Sequence, residues 1–351
     1  MELREDYNLG KLLKYENVAW FDEAYNIVRI LDRRIYPLKE EFVICKTCED
    51  VARAVSDMVT QSGGPFSAAA MGMVLAAFQF KNLPKKQYIE KMRYAARLIA
   101  YARPTTSAEM ERCTSESFKV FNTLVEKDVS SKDIICALKL NAIEQNNRRY
   151  KKNTEAGAAF ANIVPDNSSI LTQCFGETTV GGFLRRFNET GKKIKIFCAE
   201  TRPFFQGARL TASLALDMGF DVTVITDNMP AFLMAEKKID FCVSAADVIT
   251  MDGYIINKIG TLQIAVCAKY FGVPYYAIGF PDKKYQTVSG VKIEYRNPEE
   301  ALYAMGVRTA FPSFSENSGG VYEGVKGLYP AFDITPPELC TGIITGSSSL
   351  F

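Results

Sequence analysis

At 351 residues, with 48% hydrophobic and 23% charged residues, the chain has more apolar material than one core usually organises, which favours two domains and excludes a disordered or fibrous class. The 42 basic and 40 acidic residues are interleaved and nearly cancel, so there is no electrostatic ground for a nucleic-acid or acidic-membrane partner. No apolar run approaches the about 20 residues of a membrane span, and the charged first ten residues do not read as a signal peptide, so a cytoplasmic protein is expected.

In chain order, residues 18–21 and 27–31 are short strand-like runs on either side of Asp22-Glu23-Ala24-Tyr25-Asn26, a hairpin pattern. After Pro37 the character turns helical. Val51, Val55, Met58 and Val59 recur at helical spacing in residues 48–60, which end at Ser62-Gly63-Gly64-Pro65. Helices are then predicted over 66–80, 86–101, 107–127 and 131–161. The last carries Arg148, Arg149, Lys151 and Lys152, which read as a solvated face.

From residue 170 the pattern changes to strand alternating with helix. Strands are predicted at 170–173, 194–198, 222–226, 241–244 and 275–278, with helices near 179–190, 207–218, 230–236 and 261–271. The expected architecture is therefore α/β: an N-terminal β-hairpin plus helical domain over 1–150, then a Rossmann-like doubly wound parallel-sheet domain over 151–351. No Gly-x-Gly-x-x-Gly follows any of these strands, so a dinucleotide site is disfavoured and no cofactor is called for.

The nine cysteines are odd in number, scattered, and mostly set in apolar runs, which is reduced, intracellular usage. Cys45-Lys46-Thr47-Cys48 has metal-knuckle spacing, but with no second pair and no histidine in the chain a zinc set is incomplete, and no metal site is assigned. The absence of histidine also restricts acid–base chemistry to carboxylates, thiols, lysine and tyrosine. Cys174 stands at the end of the first predicted strand of the α/β half, before Phe175-Gly176-Glu177, where a helix N-terminus is expected to favour its thiolate. Asp247 follows Ser244-Ala245-Ala246, small residues that let a ligand approach; its bland alternative is a helix N-cap. Both lie just beyond strands, where open α/β sheets bind ligands.

Taken together, Leu171-Thr172-Gln173-Cys174, Glu200-Thr201-Arg202-Pro203, Gln206-Gly207-Ala208-Arg209-Leu210-Thr211, Asp247, Asn257-Lys258-Ile259-Gly260-Thr261 and Pro330-Ala331-Phe332-Asp333-Ile334-Thr335-Pro336 resemble S-methyl-5-thioribose-1-phosphate isomerases. That family shares a superfamily with the alpha, beta and delta subunits of translation initiation factor 2B. Nearly the whole chain is covered, because Asp57-Met58-Val59, Gly63-Gly64-Pro65 and Ala102-Arg103-Pro104-Thr105 look like the family's phosphate-side motifs.

The resemblance implies an aldose–ketose isomerase acting on a pentose 1-phosphate in methionine or nucleoside salvage, with Cys174 and Asp247 in the catalytic positions. It also implies substrate binding by Gly63, Gly64, Arg103, Gln206, Asn257 and Lys258, with phosphate held partly by the helical domain in a cleft, and a homodimer through the C-terminal domain. Arg103 suits a phosphate by its bidentate guanidinium, the two glycines by backbone amides, and Gly260-Thr261 by opening a helix. Arg202 reads as structural.

The chain departs from the family at Ser62, where arginine is usual, and at Phe175, Gly176 and Glu177 after the cysteine. The first leaves one phosphate-binding charge missing or supplied elsewhere; the second is expected to reshape the pocket near the 5-position, which leaves 5-deoxyribose 1-phosphate open beside the methylthio sugar. Ribose 1,5-bisphosphate would need extra cations. A non-catalytic regulatory subunit is the reading from another class, and retention of both Cys174 and Asp247 weighs against it.

Overall fold

In a computed structural model of the chain, residues 4–103, 107–302, 326–346 and 349–350 are described. The chain divides into two compact units, Met1–Lys151 and Lys152–Phe351.

In the first unit, a short helix α1 (Tyr15–Val18) leads into an antiparallel sheet of β1 (Trp20–Asp22), β2 (Ile27–Leu31) and β3 (Phe42–Cys45), in that order. The hairpin falls where its turn residues predict it. The third strand was not expected, because four residues after a proline-containing turn carry too little alternation to declare a strand.

Helix α2 (Cys48–Ser56) begins with a capping box, in which the Thr47 hydroxyl accepts from the Asp50 amide at 3.2 Å and the Asp50 carboxylate from the Thr47 amide at 3.1 Å. Helices α3 (Gly64–Phe80), α4 (Lys85–Ala100), α5 (Ser107–Glu126) and α6 (Ser131–Ile163) follow. The small residues of α3 are buried nearly all round, against α2, α4, α5 and the hairpin. At Gly72 an added Cβ would come within 2.9 Å of Val51 and Ile99, so α3 depends on glycine there for its close packing. On α6, Arg148 pairs with Glu116 at 2.6 Å in solvent, but Arg149 is half-buried and donates to Ser67 on α3 at 3.0 Å, so the basic run is only partly a solvated face.

The second unit alternates as the sequence predicts. After the end of α6 come β4 (Ser169–Gln173), α7 (Thr178–Glu189), β5 (Lys195–Ala199), a π-helical turn at Gly207–Thr211 running into α8 (Ala212–Asp217), β6 (Asp221–Ile225), α9 (Pro230–Ala235) and β7 (Phe241–Ala245). Then follow β8 (Val248–Ile249), β9 (Ile255–Lys258), α10 (Thr261–Phe271), β10 (Tyr275–Ile278), β11 (Phe332–Thr335), β12 (Gly342–Ile344) and β13 (Ser349–Leu350).

The main sheet has the order β6-β5-β4-β7-β10-β12-β13, parallel throughout except for the antiparallel edge strand β13. A second, antiparallel sheet has the order β11-β9-β8. Every strand expected in this half is present; those missed are two to four residues long and define themselves only by pairing across the fold.

From β4 the chain winds outward through β5 and β6, then returns to lay β7 on the other side of β4. The ends of β4 and β7 therefore flank a topological switch point, the place where such sheets open a crevice for ligands. Among the described residues no helix is long and apolar enough to cross a membrane.

Helix α7 sits against the end of α6 through two glycines. A Cβ on Gly157 would lie 2.4 Å from the Thr179 carbonyl oxygen, and one on Gly182 would lie 2.6 Å from the Thr154 Cα. Since backbone cannot move aside as a side chain can, Gly157→Ala should lower stability by about 1–3 kcal/mol, the range for overpacking, read as a lower urea midpoint at unchanged slope.

Candidate active site

Cys174 is the first residue beyond β4 and adopts a left-handed backbone, with φ at 55°. Such a conformation is held only when its surroundings fix it. Here they do: the Cys174 amide donates to the Thr201 hydroxyl at 2.8 Å, and its carbonyl accepts from the Thr211 hydroxyl. Thr201 is itself anchored, donating from its hydroxyl to the Ala199 carbonyl at 3.0 Å and from its amide to Asp227 at 2.8 Å. Arg202 donates through its amide to the same carboxylate at 2.7 Å and through its guanidinium to the Ala301 carbonyl at 3.1 Å, which fits a structural role.

Glycine permits the approach of these segments. A Cβ on Gly207 would fall 1.8 Å from the Ala199 carbonyl, and one on Gly176 would fall 3.0 Å from the Ala245 side chain. The second contact sets the loop after Cys174 against the end of β7, two residues before Asp247.

Asp247 is exposed, with its amide bonded to the Ile256 carbonyl at 3.0 Å. The segment that follows is β8 rather than a helix, so the capping alternative for this aspartate falls away. Lys258 is only 4% exposed and closes β9, its ammonium over the rings of Phe332 at 5.2 Å and Tyr329 at 5.9 Å. Beside it, Asn257 donates to the Thr261 hydroxyl at 3.0 Å, and Gln173 donates to that hydroxyl and to the Lys258 carbonyl, the latter at 3.1 Å.

Electrostatics tie the groups together. Burial pushes the Cys174 thiol up to about 11; the Lys258 ammonium pulls it back, the Asp247 carboxylate raises it, and the Phe175 amide and Arg296 lower it. The expectation of a helix-stabilised thiolate is corrected here: α7 begins four residues on at Thr178, and desolvation outweighs the amide and the cations. At neutral pH the sulfur carries its proton.

A second expectation changes at α10. Its first amides do not wait for an anion, because the Asp333 carboxylate accepts from Gly260 at 2.7 Å and Leu262 at 3.1 Å. Burial pushes Asp333 up to about 6 against the pull of those amides and of Lys258.

Gln206 precedes the π-helical turn, is 5% exposed, and keeps its Oε1 buried without a hydrogen-bond partner among the described residues. An unmet buried acceptor at the entry to a π-turn is a mark of a ligand position.

The structure thus brings Cys174, Asp247 and Lys258 into one electrostatic cluster, with Asn257 beside it and Gln206 on the turn that holds Cys174. In the first unit, Gly63 caps α3 and the Gly64 amide is already committed to the Gln61 carbonyl at 3.1 Å, so it is not free for a phosphate. A fully buried Arg33 donates to that same carbonyl at 2.6 Å. Arg103 is half-buried, and the Pro104 and Thr105 of its motif lie outside the described residues. No group of three or more cysteine, aspartate or glutamate side chains is placed to hold a metal among the described residues.

Sequence reading missed Arg296 and Tyr329. Both lie in non-periodic stretches that pair only through tertiary contact, Arg296 donating its amide to the Tyr329 carbonyl at 3.0 Å. Short polar runs without periodicity give no signal for such a pairing.

Comparison with known proteins agrees with this architecture. The crystal structure of 5-methylthioribose 1-phosphate isomerase from Pyrococcus horikoshii OT3 matches with a TM-score of 0.83 at 26% identity, covering 99% of this chain and 96% of that one. That of translation initiation factor eIF-2B, subunit delta, from A. fulgidus matches at 0.77 and 27% identity, covering 95% and 96%. The fold is the one these isomerases and initiation-factor subunits share.

The Initiation factor 2 subunit family model matches residues 62–347. Methylthioribose-1-phosphate isomerase of Caldanaerobacter subterraneus subsp. tengcongensis is 35% identical over 335 residues, 91% of this chain and 92% of the relative. That of Thermotoga maritima is 34% identical over 344 residues, 95% and 94%. The chain belongs to the Initiation factor 2 subunit family, in its methylthioribose-1-phosphate isomerase branch, and is an isomerase.

A thiol held near 11 should react slowly with iodoacetamide at pH 7.5, and its rate should rise steeply only as the pH approaches 11. Replacing the cation that lowers it, as in Lys258→Met, should slow the reaction further at any lower pH. Mass-spectrometric mapping of alkylated Cys174 against pH reads this directly, and fast alkylation near pH 7 would contradict the protonated sulfur.

Proposed function

We propose that the chain interconverts S-methyl-5-thio-α-D-ribose 1-phosphate and the corresponding ribulose 1-phosphate, as a step of methionine salvage. The observation that carries this reading is the electrostatic coupling of the Cys174 thiol with Asp247 and Lys258 at the switch point of the sheet. The curated relatives, full-length matches at 33–35% identity, support the choice of sugar over the 5-deoxy and regulatory alternatives.

A sugar phosphorylated at C1 is closed in its ring, so isomerisation has two requirements. The bond from C1 to the ring oxygen must break as that oxygen takes a proton, and the hydrogen on C2 must end on C1 while the C2 hydroxyl loses its proton to become a carbonyl. One proton donor and one acceptor balance the change. A thiol that stays protonated at neutral pH suits the donor, and we assign that role to Cys174. Asp247, across the strand ends, is assigned the acceptor.

Lys258, Asn257 and Gln206 are assigned to the sugar and its phosphate, the lysine as buried counter-charge and Gln206 through its unmet carbonyl. Gly63 and Arg103 keep their proposed phosphate-side roles on motif resemblance, with the side chain of Arg103 as the main contact, while the Gly64 amide, engaged by the Gln61 carbonyl, is left out.

We further propose a homodimer through the second unit. Helices α9 and α10 pack on each other and leave Phe232 61% and Tyr270 81% exposed, with Met229 and Val266 also in the open, which supports an association surface on these helices.

Cys174→Ser and Asp247→Asn should each cut kcat on S-methyl-5-thioribose 1-phosphate by about a thousandfold or more, followed by a coupled assay for the ketose phosphate; full activity in both variants would sink the reading. Phe232→Glu combined with Tyr270→Glu should shift the light-scattering mass from dimer to monomer, and an unchanged mass would refute the assigned surface.

A further inference from the structure

Tyr329 lies outside every motif assigned a role so far. It is 4% exposed, and its hydroxyl oxygen is buried without a hydrogen-bond partner of ordinary geometry among the described residues. Its ring stands 6.1 Å from that of Phe204 and 5.9 Å from the Lys258 ammonium. Arg296 is the polar group nearest in character: its side chain is 12% exposed, pairs with Glu294 at 2.9 Å, and lies over Phe204 at 6.0 Å and Phe332 at 5.9 Å. A guanidinium has five donors and no acceptor. However close Arg296 approaches the phenolic oxygen, it cannot take the phenolic hydrogen.

A buried donor that finds no acceptor costs the fold stability and calls for an explanation. The explanation is local. The Tyr329 ring faces the Lys258 ammonium, whose charge bears on Cys174, so the phenol lies in the same cluster as the thiol and Lys258. Burial pushes Tyr329 up to about 12, so the hydrogen stays in place at physiological pH.

We propose that Tyr329 is a further substrate-binding residue, donating its phenolic hydrogen to an oxygen of the pentose phosphate. The proposal rests on the isomerase reading above for the identity of the ligand. It does not depend on which group moves which proton. Phe204 and Phe332 flank Arg296 and give that wall an apolar surface, while Tyr329 adds a buried hydroxyl without a partner among the described residues.

The test pairs two measurements on Tyr329→Phe, which removes the hydroxyl and keeps the ring. Without ligand, the variant should melt at or above the wild-type temperature, because no bond is lost and an unmet polar group is gone. A melting point clearly below wild type would mean the hydroxyl is bonded within the protein, and would overturn the proposal. In calorimetric titrations with S-methyl-5-thioribose 1-phosphate, run in an Asp247→Asn background to stop turnover and repeated in Cys174→Ser, the Tyr329→Phe change should weaken binding about tenfold, the loss expected for one neutral hydrogen bond. Equal affinity overturns the proposal. Should the sugar phosphate bind and the wild-type protein fail to turn it over, the isomerase reading falls while Tyr329 stands as a binding residue; absence of binding in both backgrounds overturns both.

Discussion

The reversal of winding between β4 and β7 is the constraint on which the site depends. Parallel strands joined by right-handed crossovers can change direction only by leaving a gap at their carboxyl ends, and the two residues of the proposed proton exchange stand on either side of it. Cys174 needs a left-handed backbone to leave β4 at that point, and two threonine hydroxyls, from Thr201 and Thr211, hold its amide and carbonyl in place. The consequence for chemistry is direct: desolvation at that point keeps the proton on the thiol, which is fitted to give it away.

Much of the rest of the second unit lets polar groups approach that gap without leaving them unmet. Gly207 presses on the Ala199 carbonyl and Gly176 on Ala245, each where a side chain would not fit. Asp333 occupies the N-terminus of α10, which quiets the helix end and fixes the turn carrying Lys258 toward the thiol. Lys258, buried among Tyr329 and Phe332, spends its charge on the thiol and the aromatic faces rather than on water. Gln206 and Tyr329 keep polar atoms buried and unsatisfied among the described residues, as do Glu294, Asp333 and Thr335 in the same unit.

Legibility in the sequence followed the range of the forces involved. The five strands of residues 170–278 and the helices between them were readable, since periodicity and turn chemistry act over a few residues. The cysteine and the aspartate were readable too, as polar residues at the ends of apolar strands. Strands β3, β8, β9, β11 and β12 were not, being two to four residues long, too short to show a period; β11 and β12 in addition depend on partners far along the chain. Arg296 and Tyr329 escaped for the same reason: the residues 294–296 and 329–331 that carry them meet only as paired backbone, near Cys174.

By itself the sequence determined that the chain is α/β in its second half, that its acid–base chemistry proceeds without histidine, and that a thiol and a carboxylate end two of its strands. Those are properties of local composition and spacing. The tertiary structure alone decided the protonation of the thiol, the occupation of the α10 N-terminus by Asp333, and the engagement of the Gly64 amide by Gln61. Each of these turns on desolvation or on a hydrogen-bond partner distant in sequence or set by loop geometry, and no reading of neighbours along the chain can supply either.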